Sequence, residues 1–286
     1  MTERALRVAD GQAVLRVLTF NLLSSDHADW ERRHEVARPQ LRERGPDVVV
    51  LQETTVGTGV EQATELLGSG YHVTDLPTRP GDSVGAVLAS RWPFRDLRKV
   101  DLRVPPRVPS AAALVAEVEL PAPFGPSLFI HHSAAYQFGY AREREVQAVT
   151  CARFLEDHMA GRDAHAVLLG DFNDTPDSSS LRFWTGRQSL EGFCVAYQDA
   201  WEAVHPGSAG HTFSPENPLV SAGQMPLEVG RRIDYILVRS GNHGPSLEIA
   251  DCRQVCNAPI NGVWASDHFG LMADLRVPVH PPGPRT

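Results

Sequence analysis

The sequence predicts an α/β fold in four layers, two packed mixed β-sheets flanked by helices. Three observations predict it. Short apolar runs of strand length recur along the chain, stretches of helical period stand between them toward both ends, and four strand-like segments follow one another in the middle without a helix. Strand meanders with covering helices in both halves argue for two sheets face to face rather than one parallel sheet.

The elements follow in order. Val14 to Phe20 is the first apolar run, and Trp30 to Arg44, charged and amphipathic, reads as a helix ending before Gly45-Pro46. Val48 to Leu51 is the next strand, followed by a second helical stretch. Tyr71 to Asp75, Val84 to Ala89, Phe94 to Leu102 and Ala112 to Leu120 are the four successive strands, separated by Pro, Gly and Asp turns. Leu128 to Ile130 leads into a pair of histidines. Ala141 to Ala160, with Val146, Val149, Phe154 and Leu155 among Arg and Glu, is a further helix, and Val167 to Leu169 a buried strand. Asp174 to Asp177 reads as a turn, with Asp177 capping a helix that starts at Ser178. His211 to Gly230 is long and irregular, the kind of loop that carries specificity beside a site. Ile233 to Val238, Leu247 to Val255 and Gly270 to Leu275 complete the strands.

With 286 residues, 42% hydrophobic and 22% charged, the chain is ordinary globular material with length for one large core. No linker, repeat or charge block marks a boundary. One domain is therefore expected over residues 13–277, with disordered tails at 1–12 and 278–286. No basic segment followed by an apolar stretch opens the chain, and no apolar run has membrane-spanning length, so a cytoplasmic protein with no membrane span is expected. A monomer is expected in the absence of heptads. Cys151, Cys194, Cys252 and Cys256 are too scattered for a disulfide framework, and the spacing of Cys252 and Cys256 alone is a weak zinc signal. A net charge of −8 argues against a broad basic surface that wraps nucleic acid. It does not exclude a nuclease, because bound metal neutralises part of an acidic site.

The apolar runs end in polar tips. Asn21, Gln52-Glu53, His132, Gly170-Asp171-Phe172-Asn173 and Ser266-Asp267-His268 stand at such ends, with Arg232-Ile233-Asp234-Tyr235 before the last. Carboxylates, carboxamides and imidazoles gathered at strand ends can hold a hard divalent cation and move protons on an oxygen-rich ester. Taken singly, Asn21 reads as a turn former and Glu53 as an acid at a helix N-terminus. The ordered set is another matter.

That set resembles the endonuclease/exonuclease/phosphatase superfamily, the deoxyribonuclease-I-like fold, over roughly residues 14 to 275. The matching blocks are Thr19-Phe20-Asn21-Leu22, Leu51-Gln52-Glu53, Gly85 to Arg91, Gly170-Asp171-Phe172-Asn173, Arg232-Ile233-Asp234-Tyr235 and Ser266-Asp267-His268. The resemblance implies a four-layered sandwich, dependence on Mg2+ or Mn2+, and hydrolysis of a phosphoester by in-line attack of water. It implies Glu53 as the principal metal ligand, with Asn21 giving its amide oxygen or holding a metal-bound water, and Asp267 as a further ligand to metal or water. Asp171 is then expected to orient or deprotonate the attacking water, and Asn173 to offer an amide N–H to the phosphoryl oxygens. His268 is a phosphate donor or general acid/base, and His132 the acid for the leaving oxygen, with His131 on the opposite face. Asp234 orients an imidazole, of His268 or of His132. Tyr136, Gln137, Tyr140, Arg142 and Trp264 are expected to touch substrate.

The leading expectation is thus a Mg2+-dependent phosphoesterase, a phosphodiesterase or nuclease, with nucleic acid among its candidate substrates. The alternatives are a small-molecule phosphatase acting on a nucleotide, inositol or lipid headgroup, and a non-catalytic scaffold that keeps the fold.

Overall fold

The computed structural model describes residues 5–76, 84–280 and 283. The first part of the chain holds β1 (Arg7–Ala9), β2 (Gln12–Asn21), α1 (Trp30–Arg44), β3 (Val48–Thr55), α2 (Gly59–Leu67), β4 (His72–Asp75) and β5 (Val84–Ser90). The middle holds β6 (Phe94–Asp101), β7 (Ala112–Leu120), β8 (Gly125–His131), α3 (Ala141–Met159), β9 (His165–Asp171) and α4 (Ser179–Trp184). Then come β10 (Tyr197–Asp199), α5 (Ala200–Val204), α6 (Pro218–Ser221), β11 (Asp234–Gly241), β12 (Gly244–Pro245), β13 (Glu248–Val255) and β14 (Gly270–Arg276).

The described strands form two seven-stranded sheets. One runs β13-β14-β2-β3-β5-β4 with β1 beside β2; the other runs β10-β11-β9-β8-β7-β6 with β12 beside β11. Among the described strands only the pairs β2/β3 and β8/β9 are parallel, each joined through a helix, α1 or α3. Alternation along the strands sets the layers. Leu15, Val17, Val48 and Val50 meet Ala116, Phe129, Val167 and Ile236 between the sheets. The intervening Leu18, Phe20, Val49 and Leu51 pack on α1 and α2 through Ala37, Leu41 and Leu66. On the other outer face, Val115, Leu128, Ile130 and Leu168 pack on α3 and α4 through Ala152, Leu155 and Leu181. Each such fully buried side chain contributes roughly 1.5–3 kcal/mol.

Local signals explain the element ends. Asp29 accepts the Arg32 N–H at the start of α1, and Gly45, in the left-handed region at φ 54°, ends it with an N–H to Leu41 O. The N-terminal tail is shorter than the expected 1–12. Arg7–Ala9 pairs with β2, Arg7 opposite Val14, across a turn at Asp10 and Gly11, both at positive φ, which is what an Asp-Gly hairpin turn requires. Residues 1–4, 281–282 and 284–286 of the expected tails lie outside the described residues, and Pro278–His280 belongs to no strand or helix. The cap of α4 is Ser178, whose Oγ accepts the Leu181 N–H, while Asp177 accepts the Thr175 hydroxyl instead. All four cysteines are free; Cys252 lies in the inter-sheet core and Cys256 in the core under α1, so the two do not form a metal pair. No helix among the described residues is long and apolar enough to cross a membrane.

Candidate active site

The inter-sheet faces of the central strands share one polar end. Continuing β2 beyond Leu15 and Val17 puts Asn21 on the inter-sheet face; Val167 and Leu169 do the same for Asp171 on β9, and Ile236 and Val238 for Asp234 on β11. Asp171 and Asp234 are direct partners across the antiparallel pair β9/β11. Strict alternation from Val49 and Leu51 sends Glu53 toward α2. A register shift between Gln52 and Thr54 in the β3/β5 pairing, with Glu53 at φ 55°, turns its carboxylate to the inter-sheet end instead.

There the groups bind one another. Asn21 Nδ2 donates to Glu53 Oε1 at 3.0 Å and to Asp171 Oδ2 at 3.1 Å, and its Oδ1 accepts the Leu23 N–H at 3.0 Å. One lone pair of the amide oxygen thus accepts a backbone N–H, and the amide nitrogen positions two carboxylates. Glu53 Oε2 accepts the Ser24 N–H. Asp171 Oδ1 accepts the Asn173 N–H at 2.9 Å, and Asn173 Nδ2 donates one hydrogen to Ala134 O, leaving the other toward the cleft it lines. His268 Nδ1 lies 2.9 Å from Asp234 Oδ2, so the partner of Asp234 is His268; its Nε2 stands 4.0 Å from Asp171 Oδ2.

Burial and charge set the proton affinities. Burial raises the Asp171 carboxyl, and Asp234 opposite raises it further, against the lowering pull of His268 and the Asn173 N–H. Burial also raises Asp267, with Glu53 adding to it. For His268 burial alone lowers the imidazole, but Asp234, through charge and hydrogen bond, together with Asp171 and Asp267, holds it well above its ordinary value. His268 is an imidazolium between two acids.

Support comes from residues with no chemistry of their own. Arg33, buried on α1, donates to the carbonyls of Leu22, Leu23, Ser24, His27 and Ala265, tying the loop after β2 to the segment before Asp267. Ser266 Oγ donates to Asn21 O at 2.8 Å and accepts the His268 N–H. Asn217 caps α6 and donates from Nδ2 to Ser266 O at 2.7 Å, fastening the 211–230 loop to the same segment. Gly170 is required because a Cβ there would lie 1.8 Å from His132 O.

The groups line a cleft of about 1400 Å³. Asn21, Glu53, Asp171, Asn173, Asp267 and His268 border it, as do Tyr136 and Gln137. Four expectations need correction. His132 follows the phase of Leu128 and Ile130 and packs its ring on Phe172 and Trp184 in the outer core, whereas His131, in phase with Phe129, lines the cleft. Tyr140 is turned aside under the Arg107 guanidinium at 3.8 Å, and Arg142 is exposed beside Glu143. Trp264 stacks on Phe269 rather than lining the cleft. The sequence reading missed His131 and Arg33; the Phe129-His131 alternation was the signal for the first, and a lone arginine on a charged helix offered none for the second. Both His131 ring nitrogens are buried without a hydrogen-bond partner, and burial lowers its imidazole to about 4, so it faces the cleft neutral.

The donor set suits a hard divalent cation. Asp171, Asp234 and His268 bring ligand atoms within 4.8 Å of one another, and Asp234 Oδ1 is buried without a hydrogen-bond partner. The hydrogen bond from His268 engages only Oδ2 of Asp234, which leaves its Oδ1 together with Glu53, Asp171 and Asp267 as oxygen donors of the kind Mg2+ or Mn2+ takes.

An acid-held imidazole beside a carboxylate cluster, at one end of a four-layered sandwich, suits metal-assisted hydrolysis. The sequence matches the Endonuclease/Exonuclease/phosphatase family over residues 18–268, a span that reaches from before Asn21 to His268, and the chain belongs to that family. It is accordingly an enzyme of the phosphoester-hydrolysing class. Among solved structures, D. rerio TDP2 complexed with single strand DNA product aligns with a TM-score of 0.73 at 17% identity, covering 92% of this chain and 99% of that one. The human Nocturnin catalytic domain with bound sulfate aligns at 0.71 and 17%, covering 93% and 95%. The Bacteroides thetaiotaomicron mannosyl-6-phosphatase aligns at 0.67 and 18%, covering 91% and 99%. At these identities the likeness shows the fold, the α/β sandwich of two sheets and covering helices. A sequence comparison with curated proteins finds no match.

Proposed function

We propose that the protein is a Mg2+-dependent phosphodiesterase, with Mn2+ as the alternative ion. The observation that carries the reading is the convergence of Asp171, the Asp234–His268 pair and Glu53 on one cleft. Glu53 and Asp267 are the proposed metal ligands, and the ion would neutralise charge that develops on the phosphoryl oxygens. Asp171, its proton affinity raised, takes the proton of a water aligned against phosphorus. His268, held by Asp234 with Nε2 toward the cleft, donates to a phosphoryl oxygen, and the free Asn173 amide hydrogen donates to another. Four free thiols fit a reducing, cytoplasmic setting, and a monomer suffices because every group comes from one chain.

The test is Mg2+ titration by calorimetry alongside hydrolysis of bis-p-nitrophenyl phosphate. Glu53→Gln is expected to weaken Mg2+ binding roughly tenfold or more and to remove most of the activity. Full activity in excess chelator, or unchanged Mg2+ affinity in the variant, contradicts the reading.

A further inference from the structure

The phosphoryl chemistry occupies one end of the cleft. The cleft volume of about 1400 Å³ exceeds the roughly 300–1,000 Å³ usual for a small-ligand site, so an ester group and a small headgroup leave most of it unfilled. Beyond the acids its wall includes Val108, Ala111, Ala135, Val220, Met225 and Ile233. Tyr136, which lines the cleft, is 66% exposed and Phe138, beside Arg231, 69%; in the loop that supplies Met225 and Arg231 to the wall, Leu227 is 91% and Val229 83% exposed. Exposed apolar side chains on the segments that border a site mark a contact surface. Arg231 joins the two bordering segments to the centre. Its guanidinium stands 4.9 Å from the Phe138 ring centroid and 5.6 Å from that of Phe213, whose ring lies 4.9 Å from the His268 imidazole.

The charges decide what this surface accepts. A polynucleotide carries an anion at every nucleotide and needs cations and open ring faces along its track. Arg107 and Arg231 border the cleft, and both are held internally. Arg107 reaches both Glu143 oxygens at 3.2 Å and covers Tyr140, and Arg231 reaches Glu228 at 2.7 Å. Lys99 shares a strand face with Asp101. Tyr136 offers one exposed ring and one face of Phe138 is covered by Arg231, while Leu227 and Val229 offer no ring, so a strand of stacked bases finds fewer faces here than its track needs.

We infer that the substrate is an amphiphile, a single phosphodiester on a hydrocarbon body that lies along the apolar wall and leaves along the segments of Phe138, Leu227 and Val229. The inference rests on the phosphodiesterase reading and names its substrate class. An amphiphile reaches the cleft either as a dissolved monomer or from a bilayer.

The experiment measures kcat/KM in Mg2+ for p-nitrophenyl alkyl phosphodiesters from methyl to octyl, below their micellar concentrations, and for phosphatidylcholine vesicles and a single-stranded oligonucleotide. In parallel, calorimetry compares the binding of methyl- and hexylphosphonate. A buried methylene is worth on the order of fourfold, so kcat/KM should climb by about that factor per carbon over the first several carbons. Leu227→Ser combined with Val229→Ser, both fully solvated positions safe for folding, should cut the octyl-to-methyl ratio roughly fivefold or more. Vesicle hydrolysis exceeding that of the octyl ester identifies the bilayer as source; the reverse identifies the monomer. A flat chain-length series with good turnover overturns the amphiphile and leaves the phosphodiesterase standing, as does preferred cleavage of the oligonucleotide. Hexylphosphonate binding far above methylphosphonate without any turnover keeps the apolar cleft and overturns the phosphodiesterase.

Discussion

His131 and His132 are adjacent, and the pleat of β8 gives them opposite surroundings, one the cleft and the other the Phe172–Trp184 core. The general family pattern points to a histidine here, but only the phase of Phe129 against Leu128 and Ile130 says which one faces in. Acids in the cleft carry a consequence for stability. Burial and Asp234 raise Asp171 to about 7, so between the ordinary carboxylate value and that point the folded state binds more protons than the unfolded chain. Stability therefore falls as pH rises through this window. His268 acts in the same direction: its contribution is complete below the ordinary imidazole value and is lost as pH rises through its raised one. The melting temperature of metal-free protein is expected to drop from pH 5 to pH 8. Mg2+ at a hundred times its Kd should restore about 2.7 kcal/mol. Scanning fluorimetry across pH, with and without Mg2+, checks both; a melting point indifferent to pH and to the ion contradicts the assignment of a buried acid cluster that takes the ion.

At the scale of elements, strongly patterned segments were legible in the sequence. Trp30–Arg44 and Ala112–Leu120 form with the bounds their periodicity sets, because capping and turn residues agree with the apolar pattern. What was not legible depends on tertiary partners. β10 and β12 are three and two residues long and exist by pairing with β11; the bulge that re-aims Glu53 leaves no compositional mark. Asp10-Gly11 was legible and passed over within a polar tail. The candidate acids were legible because apolar runs deliver them, while Arg33 was not, since five carbonyl partners show only in the folded chain. Gly170 tests the packing of β8 on β9. Gly170→Ala places a methyl against His132 O and is expected to cost roughly 2–4 kcal/mol in urea unfolding. A cost under about 0.5 kcal/mol means the two backbones are not held as described.

At the scale of the whole molecule, neither sheet makes the centre alone. One supplies Asn21 and Glu53, the other Asp171, Asp234 and His131, and the segment entering β14 adds Asp267 and His268. The shared core of Leu15, Val17, Phe129 and Val167 fixes their separation, so the packed pair of sheets is the scaffold of the proposed centre. The proposed chemistry needs the base and the acid-held imidazole at that junction, and the most direct measurement is kcat for bis-p-nitrophenyl phosphate at saturating Mg2+ in wild type and Asp171→Ala. The account predicts Mg2+-dependent turnover in the wild type and a fall on the order of a thousandfold in the variant, with its fold intact by circular dichroism. Turnover that needs no divalent ion, or a variant within about tenfold of wild type, would contradict it.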